Sequence, residues 1–96
     1  MKLPLRFRIL HLLSIEKISM SKLEIMAKLR PEYGDEGQFK ESMVELHLQS
    51  MRAVGLVEAV DLSLDATDHL QVKYKITEYG FSRLSYLPTE WKHKAS

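Results

Sequence analysis

The eight residues Met51-Arg52-Ala53-Val54-Gly55-Leu56-Val57-Glu58 mark the point where the periodicity of the chain changes. Before Gly55, apolar residues recur every three or four positions, as on one side of a helix. After it the chain is rich in branched residues, as in a strand. Gly55 sits at the junction, where a residue without a Cβ can take the left-handed backbone that ends a helix and redirects the chain. Leu56-Val57-Glu58-Ala59-Val60-Asp61-Leu62 reads as the strand that follows. Leu70, Val72, Tyr74 and Ile76 then alternate with Gln71, Lys73 and Lys75, the clearest period of two in the sequence. Ser63 to His69 between them is polar and acidic, so the two strands form a hairpin with a long loop.

Working back from Val54, the long helix opens at Asp35-Glu36-Gly37-Gln38, a capping-box pattern. Ser21-Lys22-Leu23-Glu24 is another such box. It predicts a helix over 22–30 with an apolar stripe of Leu23, Met26, Ala27 and Leu29, stopped by Pro31. Pro31-Glu32-Tyr33-Gly34 reads as a turn. Pro4 suits the first turn of a helix over 4–16, in which Leu5, Ile9, Leu12 and Leu13 share a face. Ile18-Ser19-Met20 is a minimal strand or a bridge. At the other end, Thr77-Glu78-Tyr79-Gly80 caps a last helix carrying Phe81, Leu84 and Leu87, closed by Pro88. Gly80 in its first turn predicts close packing against a neighbouring element. Residues 1–88 form one domain and 89–96 a tail, from which Trp91 can pack back. The order is α-(β)-α-α-β-β-α, with a short glycine-containing turn between the second and third helices. This is an α+β winged helix-turn-helix: a three-helix core, a β-hairpin wing and a C-terminal helix.

Two stretches carry a family resemblance. Met51 to Glu58 resembles the end of the third helix in MarR-, PadR- and ArsR-type regulators, where Gly-Leu-Val/Ile leads into the wing. Tyr74-Lys75-Ile76-Thr77-Glu78-Tyr79-Gly80, with Leu84 after it, is similar to their closing wing strand. The resemblance covers about residues 5–87 and is specific for the fold rather than for one regulator family. It implies duplex DNA as partner, with the third helix in the major groove, the wing toward the minor groove and basic residues on phosphates.

Composition narrows the alternatives. A chain of 96 residues with 45% hydrophobic and 28% charged side chains supports one globular core. Without cysteine there is no disulfide scaffold, thiolate zinc site or cysteine nucleophile. No apolar run reaches membrane-spanning length, and Arg6 and Arg8 interrupt what would be a signal peptide, so a soluble, cytoplasmic protein without membrane contact is expected. His11, His47, His69 and His93 show no paired metal-ligand spacing, although His69 lies near Asp65 and Asp68. There is no glycine-rich phosphate loop and no nucleophile elbow. Neither enzymatic activity nor a cofactor or metal is expected.

The net charge of +1 hides three blocks. Residues 1–30 carry seven Lys/Arg against two acids, a net +5; residues 31–70 carry two against nine, a net −7; residues 71–96 carry five against two, a net +3. The phosphate-contacting candidates are therefore Lys22, Lys28 and Arg30 on helix 2 and Lys73 and Lys75 on one face of the second wing strand. Gln38, Lys40, Ser42 and Gln49 on helix 3 complete the DNA-binding set. Glu32, Asp35, Glu36, Glu41 and Glu45 crowd the same helix and its approach, opposing phosphate. Arg6 and Arg8 are solvated or pair with an acidic partner surface. Two registers of helix 3 are open. In one, Val44, Leu48 (or His47) and Met51 are core, and Phe39, Met43 and Leu46 form an adjoining apolar face; in the other, these three are themselves core. The first would suit a protein partner, and hence an adaptor that has kept the fold without binding DNA. A homodimer is expected on DNA because one module buries only about 600–1,000 Å² there. Its interface would come from helix 1, the Trp91 tail or the apolar face of helix 3.

Overall fold

The chain was analysed as a computed structural model, which describes residues 3–16, 18–37, 39–64 and 70–84. Four helices, α1 (Leu5–Glu16), α2 (Lys22–Tyr33), α3 (Glu41–Ala53) and α4 (Glu78–Arg83), accompany three strands, β1 (Met20–Ser21), β2 (Val57–Leu64) and β3 (Leu70–Ile76). The sheet is antiparallel in the order β1-β3-β2. Met20-Ser21 is thus a strand: Met20 lies opposite Tyr74 and Ser21 opposite Lys73. In the hairpin, Val57 lies opposite Ile76, and an irregularity between Ala59 and Asp61 shifts the register.

The α3–β2 corner forms as the glycine predicts. Gly55 has φ 85°, its N–H donates to Arg52 O at 3.1 Å, and Leu56 N–H donates to Met51 O at 2.8 Å. Together these bonds satisfy two of the last carbonyls of the helix, those of Met51 and Arg52. Thr77 then ties the end of β3 to this corner. Its N–H reaches Leu56 O at 3.1 Å, its hydroxyl donates to Gly55 O at 2.6 Å, and the same oxygen accepts from Gly80 N–H at 2.9 Å to cap α4. A Cβ on Gly80 would stand 2.1 Å from Leu56 O, so only glycine fits.

The core gathers Ile9, Leu10 and Leu13 of α1, Ile25 and Leu29 of α2, and Val44, Leu48 and Met51 of α3 against Val57 and Tyr74 of the sheet. α1 departs from the expected single stripe: all residues from Ile9 to Ser14 are buried. α2, α3 and β3 all pack against it, so no side of its middle turns is left for water. Within the helix, Ser14 Oγ donates to His11 O at 2.6 Å and His11 Nδ1 lies 3.1 Å from Arg8 Nη1.

Two boundaries differ from the sequence reading. α2 does not stop at Pro31 but continues to Tyr33. A proline in the last turn forfeits one backbone bond, and anchoring of the next turn offsets that loss. Tyr33 is buried with its hydroxyl donating to Leu3 O, Glu32 grips Arg8 through two bonds of 2.9 and 3.1 Å, and Gly34 N–H reaches Arg30 O at 2.8 Å. The longer helix buries Ile25, Met26, Leu29 and Tyr33, leaving Leu23 and Ala27 of the expected stripe exposed. α3, in turn, starts at Glu41 and not at the proposed Asp35 capping box. Phe39 is buried and stacked on Tyr33, with ring centroids 6.3 Å apart, which holds the chain off the helical path. Lys40 is extended (φ −124°, ψ 153°) and starts the helix without a side-chain cap. The Ser21–Glu24 capping box is present in both its bonds. Leu87, Pro88, Trp91 and the tail, like the loop ending at His69, lie outside the described residues.

The corner yields a stability test. Gly80→Ala should lower stability by about 1–3 kcal/mol in urea denaturation, because the added methyl meets a backbone carbonyl. Gly37→Ala, whose Cβ meets nothing within 4 Å, should stay within about 0.5 kcal/mol of the parent.

Candidate nucleic-acid interface

α3 buries Val44, Leu48 and Met51 at spacings of four and three, the first of the two registers. Glu41, Ser42, Glu45, Leu46, Gln49 and Arg52 are exposed, and Ser42, Leu46 and Gln49 lie farthest round the helix from the buried face. The apolar face of Phe39, Met43 and Leu46 does not form. Phe39 precedes the helix and is core, Met43 is half-buried, and Leu46 is 53% exposed. Helical spacing does not govern a residue that precedes the helix, so these three do not line up.

The sequence-predicted DNA-contacting residues fall in three places. Lys22, Lys40, Ser42 and Lys73 belong to the junction where α2 and α3 begin and β1 meets β3. Lys22 opens α2, and its Nζ lies 3.0 Å from Glu41 Oε1 and 3.3 Å from Glu45 Oε2. The bond from Glu41 is the main reason its ammonium titrates above the ordinary lysine value. Lys73 Nζ lies 3.8 Å from Glu24 Oε1. That carboxylate also accepts the Ser21 amide at 3.0 Å, the chief cause of its lowered pKa. Lys40 and Ser42 are exposed. Lys28 and Arg30 lie farther along α2, Lys28 with its Nζ 3.7 Å from Glu16 and Arg30 with its guanidinium 5.8 Å from the Phe39 ring centroid. Lys75 is exposed on the wing opposite Glu58. Gln49 Nε2 donates to Tyr74 Oη at 2.9 Å, joining α3 to the sheet, and burial raises the pKa of that phenol. Gln38 lies outside the described residues.

Sequence reasoning missed the polar links of α1. Arg8 pairs with Glu32 of its own chain, and Arg6 Nε donates to His47 Nδ1 at 3.3 Å. Contacts between α1 and positions 24 and 41 residues away leave no trace in local spacing. A cleft of about 600 Å³ opens between the start of α1 and the α2–α3 loop, with Arg6, Tyr33, Phe39 and His47 on its walls. Among the described residues no group of three His, Asp or Glu side chains could hold a metal ion, and no helix is long and apolar enough to cross a membrane.

No protein-family model and no curated protein matches the sequence. Solved structures do match. A PadR-like transcriptional regulator from Bacillus cereus superposes with a TM-score of 0.66 at 22% identity, over 93% of this chain and 78% of that one. PadR from Bacillus subtilis in complex with operator DNA gives 0.69 at 23% identity, over 84% of this chain and 45% of that one. A candidate transcriptional regulator from Thermoplasma acidophilum gives 0.59 at 22%, covering 90% and 86%. The fold is a winged helix-turn-helix. The hairpin β2–β3 is its wing, and α2 and α3 are its helix-turn-helix pair. Of the three regulator groups that the two motifs resemble, the PadR-like one is represented among these structures.

His47 provides a pH test. Burial first, and the Arg6 charge second, hold its pKa below the ordinary 6.5. The unfolded chain therefore binds more protons than the folded one just below pH 6.5. The neutral-imidazole contribution is complete above that value and is lost as pH falls toward the lowered folded value. Urea midpoints measured from pH 7.5 to 5 should decline with acidification, and His47→Gln should flatten the decline.

Proposed function

We propose that the chain binds duplex DNA as a winged-helix transcriptional regulator, with α3 in the major groove and α2 and the wing on phosphates. The observation that carries this reading is the register of α3. Its core contacts come from Val44, Leu48 and Met51, so Ser42 and Leu46 lie on the side away from the core, and Gln49, exposed beside them, is held by its bond to Tyr74. A recognition helix presents its base-reading side chains in this way, the residues nearest its N-terminus first. Lys40 at the start of α3, Lys28 and Arg30 on α2 and Lys75 on the wing are exposed and supply phosphate contacts beside it. The likeness to an operator-bound structure over 84% of the chain supports the same reading.

The functional unit is a homodimer on this proposal, since a second copy doubles the modest area that one module can bury on DNA. The role is non-enzymatic and the location cytoplasmic. The adaptor alternative loses its main support with Phe39, which belongs to the core and offers a protein partner nothing.

Fluorescence anisotropy with a labelled mixed-sequence duplex at about 50 and 200 mM salt tests the proposal. With about four phosphates neutralised, affinity should fall about a hundredfold over that range. Absence of binding at 50 mM would overturn it. Sedimentation with and without the duplex reads the stoichiometry, and two chains per bound duplex are expected.

A further inference from the structure

Lys22 occupies the first position of α2, beside the start of the recognition helix, yet its ammonium faces its own chain. Glu41 and Glu45 stand one turn apart on the outer side of α3 and close on Nζ at 3.0 and 3.3 Å. Their side chains remain 56% and 50% exposed, so the pair sits at the surface, where a phosphate could compete for the same ammonium. The pattern recurs more loosely at Lys28, 3.7 Å from Glu16, and at Lys73, 3.8 Å from Glu24. Among the described residues, three lysines of the phosphate-contacting set thus face carboxylates, and Lys22 alone of the three faces two.

We infer that Glu41 and Glu45 act as an internal competitor for Lys22, weakening sequence-independent attraction to the DNA backbone and raising the ratio of specific to non-specific binding. This rests on the DNA-binding reading above. A lysine gains affinity for DNA by displacing condensed counterions from phosphate. Lys22 must first give up two carboxylates to do so, and their hold on Nζ offsets what it would gain from phosphate. Contacts to base edges from Ser42, Leu46 and Gln49 do not draw on Lys22 and keep their full value. What the clamp removes is therefore the component of binding that carries no sequence information. Glu41 and Glu45 are specificity-determining residues that act through Lys22, and they need not touch a base.

The test compares four proteins by anisotropy on a mixed-sequence duplex between about 50 and 200 mM salt: the parent, E41Q/E45Q, K22M and the triple variant. E41Q/E45Q should bind about fivefold tighter at 50 mM, and its plot of log affinity against log salt should steepen by about 0.9, the contribution of one added phosphate contact. In the K22M background the same two substitutions should change affinity by less than about twofold. On a duplex enriched from random sequence by the parent, E41Q/E45Q should gain less than on mixed DNA. An equal gain with and without Lys22 would mean general repulsion by the acids and would overturn the inference, as would no gain at all. If none of the four proteins binds any duplex, the DNA reading itself fails. Lys22-dependent binding by E41Q/E45Q alone would uphold the competition and show it to be strong.

Discussion

The carbonyl of Leu56 is the point at which the wing and the helical core are joined. It lies one residue beyond the left-handed Gly55, accepts the Thr77 amide, and leaves room for nothing larger than a hydrogen on Gly80. Thr77 closes the same point with its hydroxyl, bonded to the Gly55 carbonyl on one side and to the first turn of α4 on the other. The exit of α3, the end of β3 and the start of α4 are therefore set by a few directional bonds rather than by apolar packing alone. Such bonds hold an angle as well as a distance, and the angle is what sets the wing beside α3. The Gln49–Tyr74 bond fastens the middle of the same two elements.

Charge is organised on this frame in a way the linear sequence only hints at. The acidic middle block does not stand apart from the basic beginning; it folds onto it. Glu32 meets Arg8, and Glu41 and Glu45 meet Lys22. The pairs at Lys22, whose carboxylates are half open to solvent, contribute little to stability, typically under about 1 kcal/mol each. Their larger effect is on the field that the surface presents to an anionic partner, which falls where opposite charges sit within 4 Å of each other. A winged helix carrying acids on its third helix is thus compatible with DNA, since the nearest cation screens part of the repulsion.

Much of the fold was legible because its decisive features are local. A glycine between a helical and a strand period, a threonine three residues before a first-turn glycine, and Ser21 with Glu24 each specify their geometry within a few residues. The departures lie where distant residues outweigh local preference. Pro31 would end an isolated helix, but burial of Tyr33 carries α2 through it. Asp35 and Glu36 look like a helix start, but the stacking of Phe39 on Tyr33 delays α3 to Glu41. The candidate interface was legible as a set of residue types and not as a set of partners. Lys22, Lys28 and Lys73 were recognisable as surface cations, whereas the carboxylates facing them come from other elements.

By itself, then, the order of residues determined the element types, the corner at Gly55, the two capped helix starts at Ser21 and Thr77, and hence the winged-helix topology, because backbone sterics and short-range hydrogen bonds act over one turn or less. Only the tertiary structure decided which side of α3 is free, how far α2 runs, why α1 is buried all around its middle, and which acids face which lysines. Those outcomes follow from side chains far apart in sequence competing for the same space and the same charge.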